Sequence, residues 1–305
     1  MVLRKPSVRS EALGGVLVAM SAILFGFVVV FGKVAMNHGI PVFSALAARY
    51  SVAALVLAAI LLGMRQPLAA ARGERLWLLA LGGVGYAVES SFFFGALRHG
   101  TAAAVTLLFY VYPVIVLVAS MAMGRGKPGV LLVASLAFAV AGAATVIVVS
   151  GGIDIQPLGI AFAFGSSCAF SAYLLGAEHS LRKTSPLVSA LWVCWSAALG
   201  CTVFALLTGR LEPPSGFTQM WSVAGMGVAS SAAFVCMLAG LRMVGAVRAS
   251  IISSMEPLAA AVLAFLLLGE SVAAGTFVGG AMILAGAIGA SLARPLSEQV
   301  EPLLP

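Results

Sequence analysis

The stretch LRMVGAVRASIISSMEPLAAAVLAF, Leu241–Phe265, sets two arginines, three serines, a glutamate and a proline into a run otherwise apolar enough to lie in hydrocarbon. Upstream, LRHGTAAAVTLLFYVYPVIVLVAS, Leu97–Ser120, has the same Leu-Arg head and its proline sixteen residues after the leucine, as in the later stretch. The two align without a gap at an offset of 144, pairing Arg98 with Arg242, Thr106 with Ser250, Tyr110 with Ser254 and Pro113 with Pro257. Five of 24 positions are identical, so the phrase needs support from elsewhere. A second short match sets Ser21–Phe27 against Ser166–Ala172 at an offset of 145. Together the matches point to one unit written twice.

The medium follows from composition. The 305 residues are 62% hydrophobic and 9% charged, with mean hydropathy +1.12, against roughly 25% charged in soluble domains. A net charge of +7 could suggest nucleic acid, but basic residues in short links between apolar spans serve to orient a chain in the bilayer. No nucleic-acid partner is expected. Cys168, Cys194, Cys201 and Cys236 lie in apolar runs without CxxC spacing and read as packing residues. The first apolar run follows Arg4, Lys5 and Arg9 as a signal peptide would, but it is too long for an h-region and is read as a retained span.

A crossing needs about 20 apolar residues. That ruler places spans at Leu13–Met36, Val42–Met64, Leu76–Leu97, Thr101–Met123, Val130–Ser150, Leu158–Ala177, Leu187–Thr208, Met220–Leu241, Val247–Leu268 and Val272–Ala293. With the N-terminus inside, Arg4, Lys5, Arg9, Arg65, Arg72, Arg75, Arg125, Lys127, Arg182, Lys183, Arg242, Arg248 and Arg294 fall on the inner side, 13 of 17 basic residues. Lys33, Arg98 and Arg210 fall outside and Arg49 within a span. Both termini are therefore expected in the cytoplasm.

The expected fold is an all-α integral membrane protein of ten transmembrane helices, arranged as two inverted five-helix repeats. Its divisions are a tail at 1–12, repeats at 13–150 and 151–293, and a tail at 294–305. Five crossings per unit is an odd number, so the second copy enters the membrane upside down. Inverted repeats are a recurrent plan of secondary transporters, with the substrate site near the midplane between the halves. The links are too short for a soluble catalytic domain, and no G-x-x-x-x-G-K-[ST] is present for ATP hydrolysis.

Within the spans, polar residues mark candidate sites, because a charge at the bilayer centre costs about 2.5 to 3.5 kcal/mol on insertion scales. Arg49 and Glu89 sit at matching depths, so a pair between them would relieve both; it serves as a staple between helices or as a cavity wall. Glu89 shares a helical stripe with Gly82, Tyr86 and Phe93, a surface suited to an amino group and an aromatic ring, or to an ordinary close helix contact. Glu256 follows Ser250, Ser253 and Ser254 and either carries a proton or hydrogen-bonds a neighbouring helix. Pro113 and Pro257 cannot donate to the carbonyls of Phe109 and Ser253, so they kink their helices at a cavity or hinge, or merely shape them to fit. Of the intramembrane aromatics, Tyr110 and Tyr173 lie within spans and are favoured as substrate contacts over Trp192, which lies nearer a span end; Phe170, close to Tyr173 in sequence, is a further candidate. Lys33 and Arg248, near span ends, are expected to snorkel. Gly275, Gly279 and Gly286 form a packing stripe.

These features resemble the drug/metabolite transporter superfamily, EamA type, and most closely its aromatic amino acid exporters. The resembling residues are Phe25-Gly26 with Phe170-Ser171, Lys33, Arg49, the two Leu-Arg to Pro phrases, and Leu268-Gly269-Glu270. Tryptophan often stands in the family where this chain has Phe25 and Phe170, and Met123-Gly124-Arg125 lacks the acidic residue that Glu270 supplies in the second half. The resemblance implies a basket of spans one to four and six to nine around a central cavity, with spans five and ten outside it. It also implies export of aromatic or hydrophobic amino acids across a bacterial inner membrane, without a cofactor. The partners expected are a small-molecule substrate and the lipid bilayer, with the chain a monomer.

Two rivals are proton-coupled efflux of cationic drugs, with Glu89 binding cation and proton in turn, and an intramembrane enzyme. Against the enzyme stand a single aspartate, Asp154, in a link, and no H-E-x-x-H or other acid–base pairing at catalytic spacing. Neither a catalytic residue nor a metal site is expected.

Overall fold

Hydrocarbon supplies no hydrogen bonds to a peptide group, so a lipid-exposed crossing segment must satisfy its backbone internally, which a helix does. The computed structural model describes residues 8–150, 154–180, 183–209, 211–269 and 274–293. Arg4, Lys5, Arg182, Arg210, Glu270 and Arg294, the expected start of span ten at Val272, and most of both tails lie outside the described residues. Among the described residues all regular structure is helical, apart from an isolated bridge between Gly100 and Ile155.

Span one is Val8–Asn37, span two Val42–Gly63 and span five Val130–Ser150. Spans six, seven and ten are Pro157–Ser180, Pro186–Leu207 and Ala274–Leu292. The remaining four depart from simple helices. Span three comprises Arg75–Leu79, a π-helical turn at Ala80–Tyr86 and Ala87–Leu97. Span four is two helices, Ala102–Phe109 and Tyr112–Ala122. Spans eight and nine share the continuous stretch Phe217–Ser253, within which Gly245 leaves helical geometry at φ 79°, ψ 163°. Span nine then resumes as Glu256–Leu268. The chain folds back at Gly245, since Ser253 Oγ lies 4.0 Å from Met237 Sδ. Only glycine occupies that backbone region readily, which is how a single residue serves as the link.

The prolines do more than kink. Both spans four and nine break outright, at Tyr110–Val111 and Ser254–Met255, and both prolines sit in the first turn of the helix that follows. Proline is tolerated there because its missing N–H would be unsatisfied anyway. The two breaks are separated by the same 144 residues as the repeated phrase.

Packing carries the signature of the duplication. Span one packs on span eight and span six on span three; span one also meets span nine, and span six meets span four. Spans two and seven pack together, as do spans five and ten. Exchanging every span with the one five places along turns this set of pairings into itself, as a two-fold relation between halves requires. Spans five and ten pair at one side of the bundle.

Between helices in lipid, close contact replaces the hydrophobic effect, and small residues permit it. A methyl group on Gly142 would stand 2.6 Å from the Gly279 carbonyl oxygen, and one on Gly279 2.6 Å from that of Gly142, so spans five and ten touch backbone to backbone. Spans one and eight do the same, for a methyl on Gly240 would stand 2.7 Å from the Gly14 carbonyl oxygen.

Arg248 does not snorkel. It is 2% exposed, and its guanidinium donates to Glu11 Oε2 at 3.0 Å, the Ala293 carbonyl at 3.0 Å and the Val244 carbonyl at 2.9 Å. Its helix face looks into the bundle, and the earlier start of span one brings Glu11 within reach. Lys33 is exposed.

Gly142→Leu or Gly279→Leu is expected to lower stability by about 1–3 kcal/mol through overpacking, read as a fall in the melting temperature of the purified protein, with Leu55→Ala on the lipid face as a near-neutral control.

Candidate functional site

Where a central hollow was expected, the described residues bring ten aromatic rings into one connected chain. It runs from Phe25 on span one to Phe234 on span eight, with centroids 5.5 Å apart, and from Phe234 to Tyr50 at 6.1 Å and Tyr86 at 5.3 Å. Tyr86 meets Tyr173 at 4.9 Å, and Tyr173 stacks on Phe170 at 5.9 Å. From Phe170 the chain passes to Tyr112 at 4.9 Å and Phe109 at 5.4 Å, and from Phe109 to Tyr110 at 5.7 Å and Phe93 at 5.6 Å. All five tyrosines of the protein belong to it. Most neighbours meet edge to face, the arrangement in which the positive edge of one ring meets the negative face of the next.

Five of these rings, Tyr86, Phe93, Tyr110, Phe170 and Tyr173, are the aromatic candidates read from the sequence. Phe25, Tyr50, Phe109, Tyr112 and Phe234 complete the chain. Tyr112 and Phe109 were marked only by Pro113, and nothing in the sequence around Phe234 sets it apart from other phenylalanines of an apolar helix.

The breaks in spans four and nine face each other across this chain. The Tyr112 hydroxyl donates to the Ser250 carbonyl at 3.2 Å. The Phe109 carbonyl, freed by Pro113, accepts from Ser167 Oγ at 3.0 Å, and the Tyr112 carbonyl accepts from Ser171 Oγ at 3.2 Å. Serines of span six thus satisfy the interrupted backbone of span four. Ser254 sits in the break of span nine with its hydroxyl turned back to the Ser250 carbonyl at 3.4 Å, so it caps the break rather than joining the rings.

Arg49 and Glu89 do not pair. Span two packs chiefly on spans seven and eight, not on the helix that carries Glu89. Arg49 is 9% exposed, donates from Nε to Ser230 Oγ at 2.6 Å, and places its guanidinium 4.7 Å from the Tyr50 ring centre and 5.9 Å from that of Phe25. This is a cation held by ring faces and one hydroxyl. Glu89 instead accepts from Ser90 Oγ and Ser166 Oγ, each at 3.1 Å. The field of Arg49 reaches Glu89 and Glu256 alike, and Glu256 lies against the Tyr110 hydroxyl. Both glutamates are half-buried as whole residues. The centre therefore holds one cation, two carboxyl groups and a continuous aromatic surface.

The stripe expected from Gly82 through Tyr86 and Glu89 to Phe93 is divided. The π-helical turn directs Gly82 against span seven, where an added methyl would collide with Ser196 Oγ and the Val193 carbonyl, while Tyr86 joins the rings. Inserted π turns recur at functional positions because they re-aim the side chains that follow.

On the side of the N-terminus the halves are tied by polar contacts. Arg125 on the link after span four pairs with Glu178 of span six. Glu74 accepts from the backbone N–H groups of Lys183 and Thr184 at 2.7 and 2.8 Å. Arg242 at the end of span eight bonds the Thr184 carbonyl. The link between spans six and seven is thereby clamped from two directions.

Comparison with known proteins accords with this geometry. The sequence profile of the EamA-like transporter family matches residues 12–148 and again 157–292, and the chain belongs to that family. An uncharacterized transporter of Archaeoglobus fulgidus is 25% identical over 197 residues, covering 64% of this chain and 69% of that protein. A protein known from its crystal structure superposes with a TM-score of 0.75 at 20% identity, over 94% of this chain and 99% of its own, a likeness of fold alone.

Ser167→Ala is expected to cost about 1 kcal/mol, since it removes the hydroxyl that the half-buried Phe109 carbonyl accepts from. Ser51→Ala, whose hydroxyl bonds its own helix at the Ala47 carbonyl, is expected to stay within about 0.5 kcal/mol of the parent; thermal melts of both proteins in the same detergent make the comparison.

Proposed function

We propose that this member of the EamA-like family is a secondary transporter that exports small metabolites, with aromatic or hydrophobic amino acids as the favoured class, by alternating access across a bacterial inner membrane. The observation that supports this reading best is the midplane aromatic chain set beside Arg49, Glu89 and Glu256. An amino acid presents a carboxylate, an ammonium group and an apolar or aromatic side chain, and each has a complement there. Arg49 suits the carboxylate, Glu89 or Glu256 the ammonium, and the ring faces the side chain.

In this reading the repeats, 13–150 and 151–293, rock against each other about the closed centre, with Pro113 and Pro257 marking the breaks that absorb the motion. The N-terminal side is taken as cytoplasmic because its links hold most basic residues. The contacts of Arg125 with Glu178 and of Glu74 with the backbone at 183–184 cross from one repeat to the other there, so they must part for substrate to enter. Because duplication already supplies both orientations, one chain suffices as the working unit.

A second reading, efflux of cationic compounds, draws support from the excess of two carboxyl groups over one arginine at the centre. Counterflow in proteoliposomes separates the two. Accumulation of labelled phenylalanine or tyrosine, and its loss by about tenfold or more in Tyr86→Ala, is the expected result. Accumulation of a quaternary ammonium probe alone would favour the second reading, and accumulation of neither class would overturn both. Arg125→Ala is expected to alter the exchange rate while leaving substrate preference unchanged, checked in the same vesicles against the same panel.

A further inference from the structure

A groove of about 460 Å³ opens on the outer face of the bundle between spans three and seven. Its walls are Leu79, Gly83 and Ala87 on one side and Leu199, Val203 and Leu207 on the other. We propose that it is a binding site for one acyl chain of a membrane phospholipid.

Position comes first. Leu199, Val203 and Leu207 are 55%, 45% and 81% exposed, while Cys201 and Ala205 of the same helix are 1% and 0% exposed. The groove therefore lies on the face of span seven turned away from the protein interior, where a crossing helix meets hydrocarbon. Ser196 lies midway along span seven and Leu207 ends it, at the side opposite the N-terminus of span one. At about 1.5 Å per residue that stretch is about 16 Å long. The hydrocarbon core is about 30 Å thick, so one leaflet contributes about 15 Å. The groove spans the depth of one leaflet's chains.

Chemistry narrows the occupant. The hydroxyl on its wall, Ser196 Oγ, is already committed to carbonyls of its own helix, at 2.8 Å to Trp192 and 3.2 Å to Val193. The remaining lining side chains are apolar, so a polar solute or a headgroup finds nothing to bind within. Glycines line the floor: a methyl on Gly200 would stand 2.7 Å from the Gly83 carbonyl, so the helices touch there backbone to backbone. A slender, flexible hydrocarbon chain fits such a slot.

The site is also placed to matter. Gly83 belongs to the π-helical turn whose last residue, Tyr86, joins the rings. Span three belongs to the first repeat and span seven to the second. A chain lodged between them opposes any motion that changes their separation, and so favours the arrangement described here.

The test uses the full-length protein purified in detergent and observed by native mass spectrometry, with palmitoyl-oleoyl phosphatidylcholine as the probe. The wild type is expected to retain one phospholipid through washing. Ala87→Phe, which fills the slot, and Val203→Phe, which narrows its mouth, are each expected to lower that occupancy by about tenfold. Leu55→Phe, on the lipid-facing side of span two, is expected to leave it unchanged. Returning the phospholipid to delipidated protein should raise the melting temperature of the wild type, and raise it less in either groove variant. Equal retention in all four proteins, no retention by the wild type, or cross-linking of Leu207→Cys copies that places a second chain on this face would overturn the proposal. None of these readouts depends on what is transported.

Discussion

A peptide group in hydrocarbon has no solvent to turn to, and the broken spans described here are arranged around that constraint. Helices cross the bilayer because they close their own hydrogen bonds. Where spans four and nine give up helical bonding at Tyr110–Val111 and Ser254–Met255, the missing partners come from other helices. Ser167 and Ser171 supply hydroxyls to span four, and Tyr112 supplies one to span nine. Among the described residues, the breaks within spans four and nine thus find partners on other helices, where the two repeats meet.

The duplication explains the frame without explaining the chemistry. The span pairings exchange into each other, and the two breaks fall at equivalent positions. The side chains at those positions have diverged. Tyr110 corresponds to Ser254 and Tyr112 to Glu256, so at these breaks the first half places two rings where the second places a hydroxyl and a carboxyl group. A symmetric scaffold therefore surrounds an asymmetric centre.

Electrostatics follows the same economy. Three charged side chains, Arg49, Glu89 and Glu256, sit well inside their spans, yet each has its own set of neighbours rather than a salt bridge. Arg49 rests on Tyr50 and Phe25 and bonds Ser230, and Glu89 is held by Ser90 and Ser166. Rings and hydroxyls support each group separately, without a direct ion pair.

Composition and hydropathy alone determined that the chain lives in a membrane, and the spacing of apolar runs determined ten crossings. The repeated Leu-Arg to Pro phrase marked the duplication and both breaks, because proline's missing N–H acts locally and leaves the same trace wherever it occurs. Tyr86, Tyr110, Phe170 and Tyr173 were legible as intramembrane aromatics. Which helices meet was not. The partners of Arg49 and Glu89 depend on how span two turns about its own axis, and apolar side chains all round a helix leave no periodic mark of that rotation. Phe234 and Ser230 became part of the centre only when span eight packed beside spans one and two. Arg248 likewise found Glu11 and Ala293 only through packing. Depth in the bilayer is a property of one segment and its solvent; contact across the centre is a property of several segments at once, and only the tertiary structure decides it.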